Sequence, residues 1–233
     1  MKIHRFIGSF DLSKESLQIT DTEIVNQMKN VLRLKKGELV ELCDGKHISV
    51  IAEICNMKKN NIDVLIKEKE ENKNQPKNNV ALFCAVLKKE NFELVVQKAT
   101  ECGVSKIVPI ISERTIKTGL NIERLQKIAK EASEQCGRIN IPEILEPINF
   151  DKSLELTNKN NLNILFDSSG ESLGSLAAKS GNVNIFIGPE GGWTEKEIIE
   201  AKNLNFKIAS LGSLTLRGET AAIIATYLIS NLE

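Results

Sequence analysis

The hydrophobic pattern changes period once along this chain, and that change limits the folds open to it. From Val80 onward, short apolar runs alternate with stretches whose apolar residues recur at helical spacing. Residues 80–87, 106–111, 162–166, 183–187 and 207–211 are short and rich in β-branched and aromatic side chains. Their near-continuous apolar character is that of strands buried on both faces. Between them, residues 91–102 place Phe92, Val95, Val96, Ala99 and Cys102 on one helical face, and Gly103 supplies a stop. Residues 122–135 do the same with Ile122, Leu125, Ile128, Ala129 and Ala132, and residues 194–201 and 219–232 read as two further helices. This alternation predicts an α/β domain with a mostly parallel sheet. Pro109 in the second strand predicts an edge position or an irregularity, because proline has no N–H for the ladder.

Before residue 67 the pattern is different. Residues 38–43, 47–54 and 61–66 are strand-like, and Asp44-Gly45 between the first two is a hairpin signal. One short helix is predicted over residues 22–31. Several short strands with one helix predict a small β-barrel. The two patterns meet in residues 67–79, a polar, charged stretch with Pro76, which reads as a linker. The expected domains are residues 1–72 and 73–233.

Composition excludes more than it assigns. Basic and acidic residues balance at 31 each, so any affinity for nucleic acid must come from local patches. One such patch is Lys29, Arg33, Lys35 and Lys36. No apolar run is long enough for a bilayer or a signal peptide, so a cytoplasmic protein is expected. Five cysteines without a C-x-x-C pair, and only two histidines, point neither to a disulfide framework nor to a metal centre. Dinucleotide-type G-x-G-x-x-G, P-loop and G-x-S-x-G signatures are absent.

Three loops follow apolar strands, where an open parallel sheet binds ligands. They begin at Phe166-Asp167-Ser168-Ser169-Gly170, at Gly188-Pro189-Glu190-Gly191-Gly192, and at Leu211-Gly212-Ser213-Leu214-Thr215-Leu216-Arg217. The second leads into a helix start with a capping box, Thr194-x-x-Glu197. The third ends in Arg217-Gly218-Glu219, charges that are costly between a strand end and a buried helix unless paired or functional.

Residues 187–197 (IGPEGGWTEKE) and 210–222 (SLGSLTLRGETAA) resemble the two C-terminal signatures of the RsmE family of 16S ribosomal RNA uridine-N3 methyltransferases, in the SPOUT superfamily. Residues 4–6, 31–38, 44–45, 97–115 and 131–138, followed by Pro142, resemble the rest of that family in order. The chain departs from the family's pattern at Asn26-Gln27-Met28, where a histidine is usual, at Gly218 for threonine, and at Cys102 for leucine. The resemblance implies a PUA-like RNA-binding barrel followed by a SPOUT-type parallel sheet with a C-terminal trefoil knot, and a homodimer. It implies S-adenosyl-L-methionine as cofactor and 16S ribosomal RNA in the small ribosomal subunit as partner. Cofactor contacts are then expected from Phe166, Gly188, Gly191, Leu211, Gly212, Leu214, Leu216 and Arg217. Arg217, Glu219 and Glu190 are the candidate catalytic residues, and Arg5, Arg33, Lys36, Arg114 and Arg138 the candidate RNA contacts. Another SPOUT RNA methyltransferase, acting on tRNA or a ribose hydroxyl, and a non-catalytic RNA-binding assembly factor are the alternative readings.

Overall fold

A computed structural model describes residues 3–71, 76–116, 119–158, 160–173 and 181–231. The chain divides into two compact units, Met1–Gln75 with Ser133–Ile141, and Pro76–Ala132 with Pro142–Glu233.

The first unit is a five-stranded sheet in the order β1-β3-β4-β5-β2. Its strands are β1 (His4–Ile7), β2 (Ser16–Ile19), β3 (Leu39–Cys43), β4 (Ile48–Met57) and β5 (Ile62–Glu71). Alternate residues such as Val50, Ala52 and Ile54 turn inward and join Phe6, Ile19, Val40, Leu42 and Ile62 in one core. Ile24, Val25 and Met28 fill it from the helical segment between β2 and β3. That segment starts as α1 (Thr22–Asn26), capped by Asp21, whose Oδ1 accepts from the N–H groups of Glu23 and Ile24 at 2.9 and 3.1 Å. It then widens into a π-helical turn over Gln27–Val31, closed by Leu32 N–H on Gln27 O at 2.9 Å. The single helix expected over residues 22–31 is therefore two kinds of turn. At the β3–β4 hairpin, Asp44 Oδ1 accepts from the N–H groups of Lys46, His47 and Ile48 at 2.8, 2.9 and 3.0 Å, while Gly45 takes φ +76°.

Two features of this unit depart from the sequence pattern. The first five residues of the expected linker are strand, because β5 runs on through Glu71 and pairs Lys69 with Val50 and Glu71 with Ile48. The ladder needs only backbone groups, so charged side chains do not end it. The second feature is the remote segment Ser133–Ile141, which belongs to this unit. Glu134 Oε1 accepts from Ile7 N–H at 2.8 Å, and Ile139 and Ile141 cluster with Ile7 and Cys43.

The second unit is a seven-stranded sheet in which every pairing is parallel. Its strands are β6 (Asn79–Ala85), β7 (Lys106–Ile111), β8 (Glu143–Ile144), β9 (Ile148–Asn149), β10 (Leu162–Ser172), β11 (Asn182–Ile187) and β12 (Lys207–Ser210). The order is β12-β10-β11-β6-β7-β8, with β9 also pairing β7. Pro109 falls between the short pairings of β7 with β8 and with β9, an interval where its missing N–H costs nothing. The helices are α2 (Lys89–Glu101), α3 (Ile122–Cys136), α4 (Phe150–Glu155), α5 (Glu195–Asn203) and α6 (Gly218–Asn231). Aromatic rings knit part of the core: Phe83 stacks on Phe186 at 4.4 Å, and Phe206 meets Phe186 edge-on at 5.0 Å.

Two details shape the carboxyl ends of these strands. The expected loop at residues 166–170 is a bulged continuation of β10, whose register against β12 shifts between Phe166 and Glu171. Gly170 permits this, since a Cβ there would lie 2.6 Å from the backbone of Ala209. The strand order also reverses at the neighbours β6 and β11: β7 and β8 lie beyond one, β10 and β12 beyond the other. Such a switch point opens a crevice at the carboxyl ends of the strands.

Candidate functional site

A cavity of about 690 Å³ occupies that crevice. Its walls come from the ends of β10, β11 and β12 and from Lys88 and Asn91 after β6. The size suits a nucleoside-sized ligand.

The floor is built from the glycine loop after β11. Trp193 is buried beneath it and donates its indole N–H to Phe166 O at 3.1 Å, tying the β11 loop to the end of β10. Gly188 lies against that indole, and a Cβ there would stand 3.1 Å from it. Arg114, in the loop after β7, donates from Nη1 to the carbonyl oxygens of Gly191 and Trp193 at 2.8 and 3.2 Å. The capping box expected at Thr194 is present, with Glu197 N–H on Thr194 Oγ1 at 3.3 Å and Thr194 N–H on Glu197 Oε2 at 2.8 Å. The other oxygen of Glu197 accepts from Glu113 N–H at 3.0 Å. The β7 loop and the β11 loop are thus joined by two side chains reaching in opposite directions.

The opposite wall is the segment from β12 to α6. Ser210 Oγ donates to Gly212 O at 2.9 Å and closes a turn in which Gly212 takes φ +138°, a conformation costly for any other residue. Leu214 then projects at the mouth, 80% exposed. Gly218 opens α6 against Leu87, whose Cδ2 would be 2.9 Å from a Cβ at that position. The departure from threonine here therefore goes with close packing of Leu87.

Charge in the cavity is unevenly buried. Glu190 and Arg217 are exposed at the rim. Arg217 makes no side-chain hydrogen bond or ion pair among the described residues, so it is not tied to Glu219. Glu219, in the first turn of α6, is only 8% exposed, and its Oε2 is buried without a hydrogen-bond partner among the described residues. Beneath them lies the Cys84 thiol. Burial pushes its pKa well up, and the charges of Glu190 and then Glu219 add to the effect.

The structure brings together Phe166, Gly188, Gly191, Leu211, Gly212, Leu214, Leu216, Arg217, Glu190 and Glu219, all of which line the cavity. Arg114 is not among the lining residues and holds the glycine loop instead. In the first unit, Arg33 and Lys36 are exposed, and Arg33 takes φ +54°. Arg5 is committed to Glu41 through two hydrogen bonds of 2.8 and 2.7 Å. Arg138 is half-buried, and burial lowers the pKa of its guanidinium. Sequence reasoning missed Lys88, Asn91 and Trp193. The first two follow the carboxyl end of β6, so the same strand-end rule finds them. Trp193 sits inside the glycine signature, but only the packing reveals its role.

Residues 73–230 match the RNA methyltransferase domain family, and residues 19–67 match the RNA methyltransferase PUA domain. The chain is 34% identical to ribosomal RNA small subunit methyltransferase E of Rickettsia conorii, an alignment covering 97% of this chain and 94% of that protein. It is 27% identical to the protein of the same name from Bacillus subtilis, over 94% of each. Among solved structures, ribosomal RNA small subunit methyltransferase E from Neisseria gonorrhoeae bound to S-adenosyl methionine superposes with a TM-score of 0.91 at 30% identity, covering 97% of this chain and 95% of that one. The fold, the strand-end cavity and these likenesses agree, and the chain belongs to the ribosomal RNA small subunit methyltransferase E family.

Proposed function

We propose that this RNA methyltransferase binds S-adenosylmethionine in the strand-end cavity and methylates uracil N3 of a uridine in 16S ribosomal RNA. The observation that carries the reading is that both C-terminal signature segments converge on one cavity at the sheet's switch point, lined by glycine backbone on one side and charged groups on the other. The cavity fits the cofactor on its own chemistry. Gly188 and Gly212 let backbone approach a ligand, Phe166, Leu211 and Leu216 supply apolar contact, and the Glu219 carboxylate lacks a partner that a cation would provide. When bound, S-adenosylmethionine supplies an electrophilic methyl group.

Uridine N3 carries a weakly acidic proton and is a poor nucleophile until that proton leaves. Arg217, exposed and without a described partner at the rim, faces uracil O2 or O4 and stabilises the negative charge that develops there. Glu190 takes the N3 proton in this reading, which its exposure on the glycine loop at the cavity supports. Holding the base beside the donor supplies much of the remaining acceleration. The first unit docks the RNA, with Arg33 and Lys36 as exposed phosphate contacts. The chain works as a homodimer, in the cytoplasm, on RNA within the small subunit, and its last segment is threaded as the SPOUT trefoil knot.

The test is direct. Small subunits or 16S RNA lacking the modification are incubated with the chain and S-adenosylmethionine, and the RNA is digested to nucleosides. N3-methyluridine is the expected product. A ribose-methylated nucleoside, or methylation of tRNA alone, would replace this reading with another RNA methyltransferase activity.

A further inference from the structure

We infer that Glu219 makes the cavity selective for the charge on its ligand, favouring a nucleoside sulfonium over the neutral thioether left after methyl transfer. The inference rests on the cavity being the S-adenosylmethionine site. Its basis is a carboxylate in an unusual position. Glu219 lines the cavity, is more than nine-tenths buried, and has an Oε2 with no hydrogen-bond partner among the described residues.

A buried carboxylate left without a partner is costly, and the amino terminus of α6 offsets only part of that cost. Among the described residues, no side chain is paired with it to remove the rest. Leu87 packs on Gly218 next to it, and the Cys84 thiol beneath carries no positive charge. The two cations that line the cavity, Lys88 and Arg217, are exposed, and neither forms an ion pair with Glu219 among the described residues. The missing partner therefore arrives with the ligand.

S-adenosylmethionine offers two cationic centres, an ammonium and a sulfonium. An ammonium carries three N–H donors and is strongly hydrated. It is better served by water at the open mouth of the cavity than by a carboxylate buried in the wall. A sulfonium has no N–H to satisfy and attracts a carboxylate by charge alone, which suits a dry pocket wall. When the methyl group passes to uracil N3, the electron pair of the broken carbon–sulfur bond stays on sulfur, and the sulfur becomes neutral. The attraction to Glu219 ends with the reaction, and the product is held less tightly than the donor was.

The test is an equilibrium titration of the full-length chain and its Glu219→Gln variant with S-adenosylmethionine and S-adenosylhomocysteine. The wild-type chain is expected to prefer the sulfonium by roughly tenfold. The preference should largely survive high salt, because a buried charge is poorly screened. Glu219→Gln should bind both compounds alike, with its affinity for S-adenosylhomocysteine within about twofold of wild type. A variant that weakens both equally places the carboxylate on a group common to the two compounds, and the inference fails. It fails equally if the wild-type chain shows no preference, a result that needs no variant to fold. Binding of neither compound by the wild-type chain would remove the cofactor reading itself, a separate and recognisable outcome.

Discussion

The catalytic role proposed for Arg217 rests on what its side chain does not touch among the described residues. Arg217 is exposed at the cavity rim, its carbonyl accepts from Ala221 N–H at 2.8 Å, and its side chain makes no hydrogen bond or ion pair among the described residues. Arg217→Ala is expected to lower single-turnover methylation by roughly 10²–10³-fold, as for removal of one preorganised donor. Melting temperature and cofactor affinity should stay near wild type, and Arg217→Lys should recover little because the planar fork is lost. A joint fall in melting temperature and cofactor affinity would instead make it a loop-holding residue. Asp44 is the opposite case, a carboxylate with a wholly structural task. Burial works against its charged form, but the N–H groups of Ile48, Lys46 and His47 outweigh it and hold its pKa below 3.8. A depressed carboxylate stabilises the fold above its unfolded value and loses that contribution as pH falls through its lower folded value. Asp44→Ala should therefore cost about 1 kcal/mol near neutral pH, comparable to a lost side-chain cap. Denaturation curves of variant and wild type should converge below pH 3.8, and an undiminished gap there would exclude the mechanism.

Among the loops, the one after β7 sets the shape of the cavity without forming its wall. Arg114 grips the carbonyls of Gly191 and Trp193, and Trp193 in turn holds Phe166. Replacing Arg114 with alanine should free the glycine loop and weaken cofactor binding by about tenfold, through lost preorganisation. RNA affinity measured at saturating cofactor should not change. The converse pattern, weaker RNA binding with normal cofactor affinity, would return Arg114 to the role of an RNA contact. The strand β10 shows a local pattern meeting a tertiary one. Residues 167–170 are polar and read as a loop, and they bulge out of the ladder: Phe166 and Glu171 both stand opposite Ala209, while Asp167 Oδ1 accepts from Ser169 N–H at 2.8 Å. What the local pattern does not carry is that the strand resumes against β12 after the bulge, where Gly170 permits contact with Ala209.

For the molecule as a whole, two surfaces carry the proposed partners. On α6, Ile224, Tyr227 and Leu228 are 36, 57 and 39% exposed, and Leu94 on the adjoining α2 is 40% exposed. Apolar side chains grouped in this way suit a subunit interface. Replacing Ile224 and Leu228 by glutamate should yield a monomer in sedimentation, with greatly reduced methylation. A wild-type chain that sediments as an active monomer would end the dimer proposal. On the first unit, charge reversal of Arg33 and Lys36 should weaken RNA binding by about tenfold at low salt and by much less at high salt, since phosphate contacts are screened. Equal losses at both salt concentrations would mean that these residues act by some means other than charge.

The sequence by itself determined the two hydrophobic periods, and with them a strand-rich unit followed by a parallel α/β unit. It also determined the strand-end loops, because glycine, capping and charge patterns are local and obey local rules. Asp44-Gly45 and the Thr194 capping box are where those rules suffice. Tertiary structure decided which distant residues meet. The return of Ser133–Ile141 to the first unit, the extension of β5 through charged residues, and Arg114 on the glycine loop all depend on partners far along the chain. So does the buried state of Glu219, which the sequence marks as a candidate functional carboxylate without showing which of its atoms is buried. Its burial, and with it the missing partner, arises only when α6 closes over the ends of the strands.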